Sequence, residues 1–278
     1  MPIITVSRGT LSGGEAFANL LSTKTGYPVI GLEVIKDAAA RYGISESAIS
    51  KQLSQGPRVI ERLAGDKRRI YLIALQSALA ERALQGDFIY HGLAGHFLLQ
   101  HIPKVFKIRL VAPLAYRAKS VMEKKGLSET DAIKYIEKVD EKRRQWTRFL
   151  YDVDWTDPML YDVVINLEQI HLDSACGMIL SALGQPEFRD TPEKQKAIQD
   201  FALSSQVKAR LALDERTRGV ETMVEAKEGK VFVKGRVFTT SALVATGTQS
   251  TKAYIHEVAK GIPGVKELGI EITESPIA

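Results

Sequence analysis

The sequence predicts an α/β protein built on a doubly wound parallel sheet, followed by a small α+β domain. Short strand-like runs alternate with helical segments through the first 183 residues, and a loop rich in glycine and serine joins the first run to the first helix. Strands separated by helices are typical of a parallel sheet that is covered on both faces. After residue 184 the pattern changes to helix, strand, strand, helix, strand, which predicts the second domain.

Four strands are predicted in the first domain, at residues 3–6, 88–90, 105–112 and 161–166. Helical periodicity falls between and after them, at residues 15–25, 33–42, 58–84, 97–100, 114–125, 129–151 and 172–183, with a further helix beginning at Ser45. In a doubly wound sheet the ligand binds beyond the carboxyl ends of the strands. We therefore expect the loop at residues 7–14, the turn at residues 91–95 and the segment after Ala112 to lie on the ligand-binding edge.

A stretch with two prolines and no apolar periodicity separates the two domains, at residues 184–193. The elements predicted after it are a helix at 194–214, strands at 219–226 and 230–238, a helix at 241–261 and a last strand at 265–272. The turn Glu228-Gly229 between alternating strands is a hairpin signature. The predicted organisation is a first domain at residues 1–183, a linker at 184–198 and a second domain at 199–278.

Composition and charge are those of an ordinary globular protein. Hydrophobic residues make up 45% of the 278 residues and charged residues 26%, and the 38 basic residues exceed the 33 acidic ones only mildly. The basic residues are spread over the chain, which favours solvated helix faces over a nucleic-acid site. No apolar run approaches the ~20 residues that span a bilayer. Residues 1–8 lead directly into a strand-like run, so we expect no signal peptide. Cys176 is the only cysteine, so we expect a cytoplasmic protein without an intrachain disulfide.

The segment Gly9 to Gly14, called the glycine loop below, lies between the first strand and the first helix. Such a loop presents backbone N–H groups and a helix N-terminus to an anion. A full phosphate loop continues with lysine and then serine or threonine, but here Glu15 and Ala16 follow. A register shifted to match Ser12-Gly13 also loses the lysine and the metal-binding hydroxyl. On the loop alone, a structural turn and a nucleotide site remain equally good interpretations.

Several segments together resemble the cytidylate-kinase-like family, which has the fold of P-loop nucleoside monophosphate kinases. Residues 3–15 contain Ser-Arg, a spacer and Ser-Gly-Gly, and further matches follow at residues 109–117, 140–143, 154–158 and 161–166. The resemblance covers residues 3 to about 183. It implies a transferase that uses ATP and Mg²⁺ to phosphorylate CMP or a similar monophosphate.

The resemblance also implies roles for individual residues. The residues implied to bind the cofactor are Arg8, Ser12, Gly13 and Gly14, and those implied to act in catalysis are Arg117, Arg143 and Asp140. The chain departs from the family pattern at three places: Glu15 replaces a loop arginine, Gly31 an acidic residue, and residues 92–94 a Gly-Arg-Gly run. Because cations neutralise charge in phosphoryl transfer, these losses predict a weakened or lost kinase activity.

Each of these residues also has a structural interpretation. Asp140 and Arg143 are spaced i, i+3 and would pair on a helix, and Arg117 could be a surface arginine. A set of aspartates, Asp152, Asp154, Asp157 and Asp162, has the irregular spacing of turn and capping residues, so no metal site is predicted. His91, His96 and His101 form a poor zinc pattern and are interpreted as incidental, although His91 falls at a strand end on the ligand edge.

Residues 205–274 resemble a BON domain, on the segments 207–213, 229–237 and 264–268. The resemblance implies a phospholipid- or ligand-binding module without catalytic residues. Three functional hypotheses remain open from the sequence: a nucleotide kinase, a non-catalytic nucleotide sensor in which the BON module responds, and a lipid-surface binding protein. A homo-oligomer is compatible with each of them.

Overall fold

Five parallel strands form the sheet of the first part of the chain, in the order β2-β3-β1-β4-β5. The computed structural model describes residues 2–10, 12–54, 66–92, 95–103, 105–239 and 247–276. The strands are β1 (Ile4–Arg8), β2 (Val29–Ile30), β3 (Ile89–Tyr90), β4 (Phe106–Val111) and β5 (Val163–Asn166). Four were predicted; β2 was missed because two residues are too short to show an alternating pattern.

Eight helices flank this sheet within the described residues. They are α1 (Gly14–Thr25), α2 (Glu33–Tyr42), α3 (Glu46–Ser54), α4 (Asp66–Gln85), α5 (Gly95–Leu98), α6 (Leu114–Lys125), α7 (Glu129–Tyr151) and α8 (Leu172–Leu183). Their positions agree with the prediction at most places. The short helix predicted at 97–100 lies two residues earlier, at Gly95–Leu98, and the part of the predicted helix 58–84 before residue 66 lies outside the described residues. The α7 helix starts as predicted, because the Ser128 hydroxyl accepts the Asp131 N–H at 3.2 Å.

The strands separate two apolar layers, so both faces of the sheet are covered. On one face Ile4, Val6 and Ile108 pack with α1 and α8. On the other face Ile3 and Tyr90 pack with α2 and α4. This arrangement confirms the predicted doubly wound sheet and leaves the carboxyl ends of the strands as the open edge.

A mixed three-stranded sheet forms the second part of the chain, in the order β6-β7-β8. Its elements are α9 (Pro192–Leu213), β6 (Glu221–Lys227), β7 (Lys230–Thr239), α10 (Gly247–Lys260) and β8 (Glu267–Pro276). The order confirms the predicted αββαβ pattern. Glu228 and Gly229 have φ of 52° and 89°, the positive values that a two-residue hairpin turn requires. The start of the predicted helix at residues 241–246 lies outside the described residues.

Helix α9 connects the two parts directly. Phe201 and Ala202 belong to the apolar layer of the first sheet, whereas Val207 and Leu211 belong to the core of the second. Within the predicted linker 184–198, residues from Pro192 onward are helical, and Lys194 is buried with Asp87 at 3.6 Å. A continuous helix therefore takes the place of part of that linker. Over the described ranges, no helix combines the length and apolarity that crossing a bilayer requires.

Candidate functional site

The described residues of the glycine loop, 9–10 and 12–14, lie at the end of β1 and are held there by local contacts. Gly13 has φ of 80°, a left-handed conformation that favours glycine just before α1. The buried Ser12 hydroxyl donates to the Gly9 carbonyl oxygen at 2.9 Å. Ser12 was expected to contact the cofactor, but its side chain is turned into the loop and maintains the loop's shape. Any contact of Ser12 with a ligand would therefore involve its backbone.

Arg8 lies across the start of α1. A Cβ atom added at Gly14 would lie 2.4 Å from Cδ of Arg8, so glycine at this position lets the arginine side chain cover the helix N-terminus. Burial and the nearby charge of Arg143 lower the pKa of Arg8 to about 10. Arg8 is thus still positively charged at neutral pH, at a helix end that itself favours anions.

Arg117, on α6, reaches the glycine loop and pairs with Asp140 of α7. Its Nη1 donates to Oδ2 of Asp140 at 2.6 Å and would lie 2.5 Å from a Cβ atom added at Gly9. The other carboxylate oxygen of Asp140 accepts the Thr10 hydroxyl at 2.8 Å and the Thr10 N–H at 3.2 Å. Asp140 therefore ties α6 and α7 to the loop.

Arg143 also contacts the loop region rather than only its own helix. Its Nη1 donates to the Arg8 carbonyl oxygen at 2.8 Å and lies 4.0 Å from Oδ1 of Asp140. The i, i+3 pair expected from the sequence is thus present but long, and the stronger contact is tertiary. Burial lowers the pKa of Arg143, with Asp140 opposing that shift.

Arg8, Arg117 and Arg143, the arginine cluster, carry more positive charge than their surroundings balance. Among the described residues, Asp140 provides the only carboxylate within 4.0 Å of any of them. Glu15, in the first turn of α1, is exposed and interacts with Arg8 only through its charge. An excess of guanidinium groups beside a glycine loop and a helix N-terminus fits a multiply charged anion such as a phosphate chain.

His91 also belongs to this site, although the sequence pattern left it as incidental. It follows β3, and its Nε2 would lie 3.0 Å from a Cβ atom added at Gly14. This nitrogen is buried and has no hydrogen-bond partner among the described residues. Burial, Arg8 and Arg143 lower the pKa of His91 to about 4, so the imidazole is neutral at pH 7. Its position at a strand end was the one available signal.

Arg109 of β4 is a further residue that the sequence reasoning missed. Its guanidinium is 4.7 Å from the ring centroid of Trp155 and 5.6 Å from that of Tyr161, and Nη1 donates to the Trp155 carbonyl oxygen at 2.9 Å. Burial lowers the pKa of Arg109, and its charge interacts with Asp140 and Arg117. It holds the segment after α7 against the sheet beside the arginine cluster.

The loop residues fit phosphate groups better than a metal ion bound by the protein. The Ser12 hydroxyl donates to Gly9, and the Thr10 hydroxyl donates to Asp140, so neither is directed to a metal. No group of three or more His, Cys, Asp or Glu that could hold a metal occurs in the parts of the chain that the structure describes. We therefore assign no step to a protein-bound Mg²⁺.

Asp152, Asp154 and Asp157 have the turn and capping roles expected of them, and Asp152 ends α7 with φ of 53°. Asp162 differs, because its contact is with the start of β4. Asp154 accepts the N–H and the hydroxyl of Thr156 at 2.9 and 2.7 Å. Asp157 accepts the Met159 N–H at 2.9 Å, and Asp162 accepts the Lys107 N–H at 2.8 Å. These contacts account for their irregular spacing in the sequence.

Comparison with known proteins finds a matching family and relatives that are cytidylate kinases. A model described as "Cytidylate kinase-like family" matches residues 3–169. The chain is 26% identical over 177 residues to the cytidylate kinase of Sulfolobus acidocaldarius, covering 63% of this chain and 90% of that protein. It is 25% identical over 199 residues to the cytidylate kinase of Methanopyrus kandleri, covering 68% and 97%.

A solved structure shares the fold of the same region. It is that of an uncharacterized protein from Eubacterium ventriosum, with a TM-score of 0.52 and 22% identity, covering 66% of this chain and 98% of that one. The family match extends over more than half of the chain and includes β1, the glycine loop, α6 and α7. The chain therefore belongs to the cytidylate kinase-like family, with a five-stranded parallel sheet and an additional C-terminal αββαβ unit.

Proposed function

We propose that this protein transfers the γ-phosphoryl group of ATP to CMP or a similar nucleoside monophosphate, at a lower rate than a relative with a complete set of loop cations. The observation that carries the proposal is the arginine cluster, in which three guanidinium groups adjoin the glycine loop. Among the described residues, Asp140 is the one carboxylate within 4.0 Å of the cluster, and it contacts Arg117 and Arg143. Because the chain belongs to the cytidylate kinase-like family, a nucleotide is the anion that we expect at this site.

The reaction would need positioning and charge neutralisation more than covalent chemistry by the protein. An oxygen of the monophosphate attacks the γ-phosphorus of ATP, the bond to the bridging oxygen breaks, and ADP and the nucleoside diphosphate leave. In this proposal Arg8 and the loop backbone hold phosphate groups, whereas Arg117 and Arg143 neutralise charge on the transferred group. Mg²⁺ enters as part of the ATP substrate, coordinated by its phosphates.

The lower rate follows from the groups that the loop lacks. Neither register of the glycine loop supplies a lysine, and Glu15 places a negative charge in the first turn of α1. One well-placed donor contributes about 3 kcal/mol to transition-state stabilisation, which corresponds to a factor of about 10²–10³ in kcat. The remaining arginines retain part of that stabilisation.

Binding and turnover are measured on the same preparation. Calorimetry with MgATP and with CMP gives the affinities, and chromatography of the products gives the rate of CDP formation. We expect binding of both nucleotides, slow CDP formation, and a loss of turnover in Arg117→Ala. Lys119→Ala is the matched control, because Lys119 is an exposed cation on the same helix. Turnover that is unchanged in Arg117→Ala would contradict the assigned role.

A second candidate is a nucleotide sensor without catalysis, and the contacts of Asp140 favour it. The Asp140 carboxylate already accepts the Thr10 N–H and the Arg117 guanidinium, two donors that a reacting phosphate would use. In this alternative the C-terminal unit is a BON-like module that responds to the nucleotide or binds a ligand or phospholipid. Nucleotide binding without CDP formation, together with sedimentation on anionic vesicles, would support the alternative.

A further inference from the structure

We infer that His91 contacts the bound phosphate group and takes up a proton from the solvent when the anion binds. The inference rests on the proposed function, because it concerns the same site. His91 would thereby supply, in the bound state only, a cation close to the loop position where the sequence has lost its own.

The imidazole is held at the start of α1 by its backbone and by its neighbours. The His91 N–H donates to the Ile30 carbonyl oxygen at 2.8 Å, which fixes the residue beyond the ends of β2 and β3. Glycine at position 14 leaves room for the side chains of Arg8 and His91 to meet there, since an added Cβ atom would lie 2.4 Å from Arg8 Cδ and 3.0 Å from His91 Nε2. The Nε2 atom therefore faces the turn at which the helix begins.

The buried Nε2 atom lacks a partner within the described part of the chain. An unsatisfied buried polar group destabilises the folded protein, so native proteins usually provide a partner or reserve the group for a ligand. Here the positive charges around His91 indicate that the ligand is an anion. Two guanidinium groups attract an anion, and a phosphate oxygen beside Arg8 would be a suitable acceptor for an Nε2–H donor.

The charges facing His91 come from each of the elements around it. Arg8 of β1 and Arg143 of α7 oppose its protonation, and burial opposes it further. Glu15 of α1 acts on Arg8, and the Glu33 carboxylate accepts the Gly31 N–H at 2.6 Å in the turn after β2. With no anion present, burial first and then the charges of Arg8 and Arg143 hold the pKa of His91 at about 4.

A bound phosphate changes the electrostatic potential at His91 from positive to negative. It neutralises the two guanidinium groups and adds negative charge, and both changes favour the imidazolium form. The His91 pKa therefore rises on binding, and the imidazole takes one proton from the solvent. The bound state holds more protons than the free state. The affinity for the anion therefore increases as the pH is lowered from the raised His91 pKa of the complex to about 4, the His91 pKa of the free protein. The slope approaches about tenfold per pH unit for one coupled proton.

Calorimetric titration of ADP, at several pH values between 6 and 8, tests the inference. Each titration is run in two buffers of different ionisation enthalpy, so that proton uptake is measured directly. His91→Gln keeps a hydrogen-bonding side chain but cannot be protonated. His101→Gln is the control, because His101 is exposed and lies beyond α5. ADP also binds protons, and subtraction of the variant from the wild type removes that contribution.

We expect the wild-type protein and His101→Gln to take up more protons than His91→Gln, and to gain affinity more steeply as the pH falls. The imidazole resonances of the wild type provide a second readout that needs no variant, and the pKa of His91 should rise when ADP is added. Equal proton uptake in all three proteins with an unmoved His91 resonance would overturn the inference and leave the kinase proposal standing. A protein that binds neither ADP nor CMP would overturn both.

Discussion

Arg117 donates a hydrogen bond of 2.6 Å to Asp140, and the same carboxylate accepts both the hydroxyl and the N–H of Thr10. The contact joins α6, α7 and the glycine loop, and both side chains are less than one fifth exposed. The Asp140 carboxylate thus binds the Arg117 guanidinium and the Thr10 N–H, two groups that a phosphate would also bind. Asp140 and an incoming anion are expected to compete for them.

Asp140→Asn should separate the structural and electrostatic effects of this contact. The amide keeps the shape but removes the negative charge, so the arginine cluster loses its one nearby carboxylate. We expect the free energy of unfolding to fall by about 1.5–3 kcal/mol, the usual contribution of a hydrogen bond to a charged group. Pyrophosphate should restore much of this loss, because an anion that binds the native state stabilises it.

Thermal unfolding with and without pyrophosphate measures both effects. Glu141→Gln is the control, because Glu141 pairs with Arg144 on the exposed side of α7. The competition would be refuted if pyrophosphate stabilised Asp140→Asn no more than it stabilises the wild type.

Gly14→Ala should disrupt the site more than the fold. The added methyl group would meet Arg8 Cδ at 2.4 Å and His91 Nε2 at 3.0 Å, so Arg8 has to leave the helix N-terminus. We expect the affinity for ADP to fall at least about tenfold, with a loss of about 1–3 kcal/mol in stability from overpacking. Calorimetry and urea unfolding measure the two effects.

Gly177→Ala is the matched control for that change. Gly177 lies inside α8, and nothing lies within 4 Å of an added Cβ atom. Alanine there should raise stability by about 0.5–1 kcal/mol and leave ADP binding unchanged. Equal ADP affinity in the two variants would argue against Arg8 as a phosphate contact.

Glu15→Arg should increase the rate of CDP formation. The change replaces a negative charge in the first turn of α1 with a cation at the position where the family resemblance places an arginine. Since one well-placed donor contributes a factor of about 10²–10³, even an imperfectly placed guanidinium should raise kcat at least about tenfold. Product chromatography at saturating MgATP and CMP gives the rate.

Glu123→Arg makes the same change of net charge on the exposed side of α6 and should leave the rate as it is. If Glu15→Arg binds ADP more tightly without forming CDP faster, the sensor hypothesis becomes the better account of the protein.

Removal of α9 should destabilise the first part of the chain. Ile198, Phe201 and Ala202 of this helix are buried in the layer that also contains α2 and α4. A chain that ends at residue 183 loses these contacts, and removal of a buried phenylalanine side chain alone costs about 3–5 kcal/mol. A chain that ends at residue 205 retains them. We expect a lower melting temperature, or aggregation, for the shorter chain, measured by circular dichroism.

The two truncated chains also test the boundary predicted from the sequence. Equal stability would mean that the first domain ends near residue 183, as the sequence pattern indicated. If only the chain that ends at residue 205 is stable, the first domain includes about the first four turns of α9.

Much of the fold could be predicted because it depends on local signals. Ser128 marks the start of α7, and the turn Glu228-Gly229 between alternating strands predicts the hairpin that the structure contains. The site was only partly predictable. The motif residues Arg8, Arg117, Arg143 and Asp140 do come together. Arg109 was missed and His91 was noted only for its place at a strand end, because a histidine after a strand and an arginine within one carry no spacing signal.

The sequence by itself determined the order of helices and strands, the change of pattern after residue 184, and the absence of a lysine and a metal-directed hydroxyl from the loop. These properties depend on neighbouring residues and on residue type. Only the tertiary structure decided what Asp140 and Arg143 contact, since Thr10 is 130 positions from Asp140 and Arg8 is 135 positions from Arg143. The tertiary structure likewise decided that residues of α9 pack in both apolar cores. Such contacts form when the sheet brings distant strand ends to one edge, and no periodicity along the chain encodes that distance.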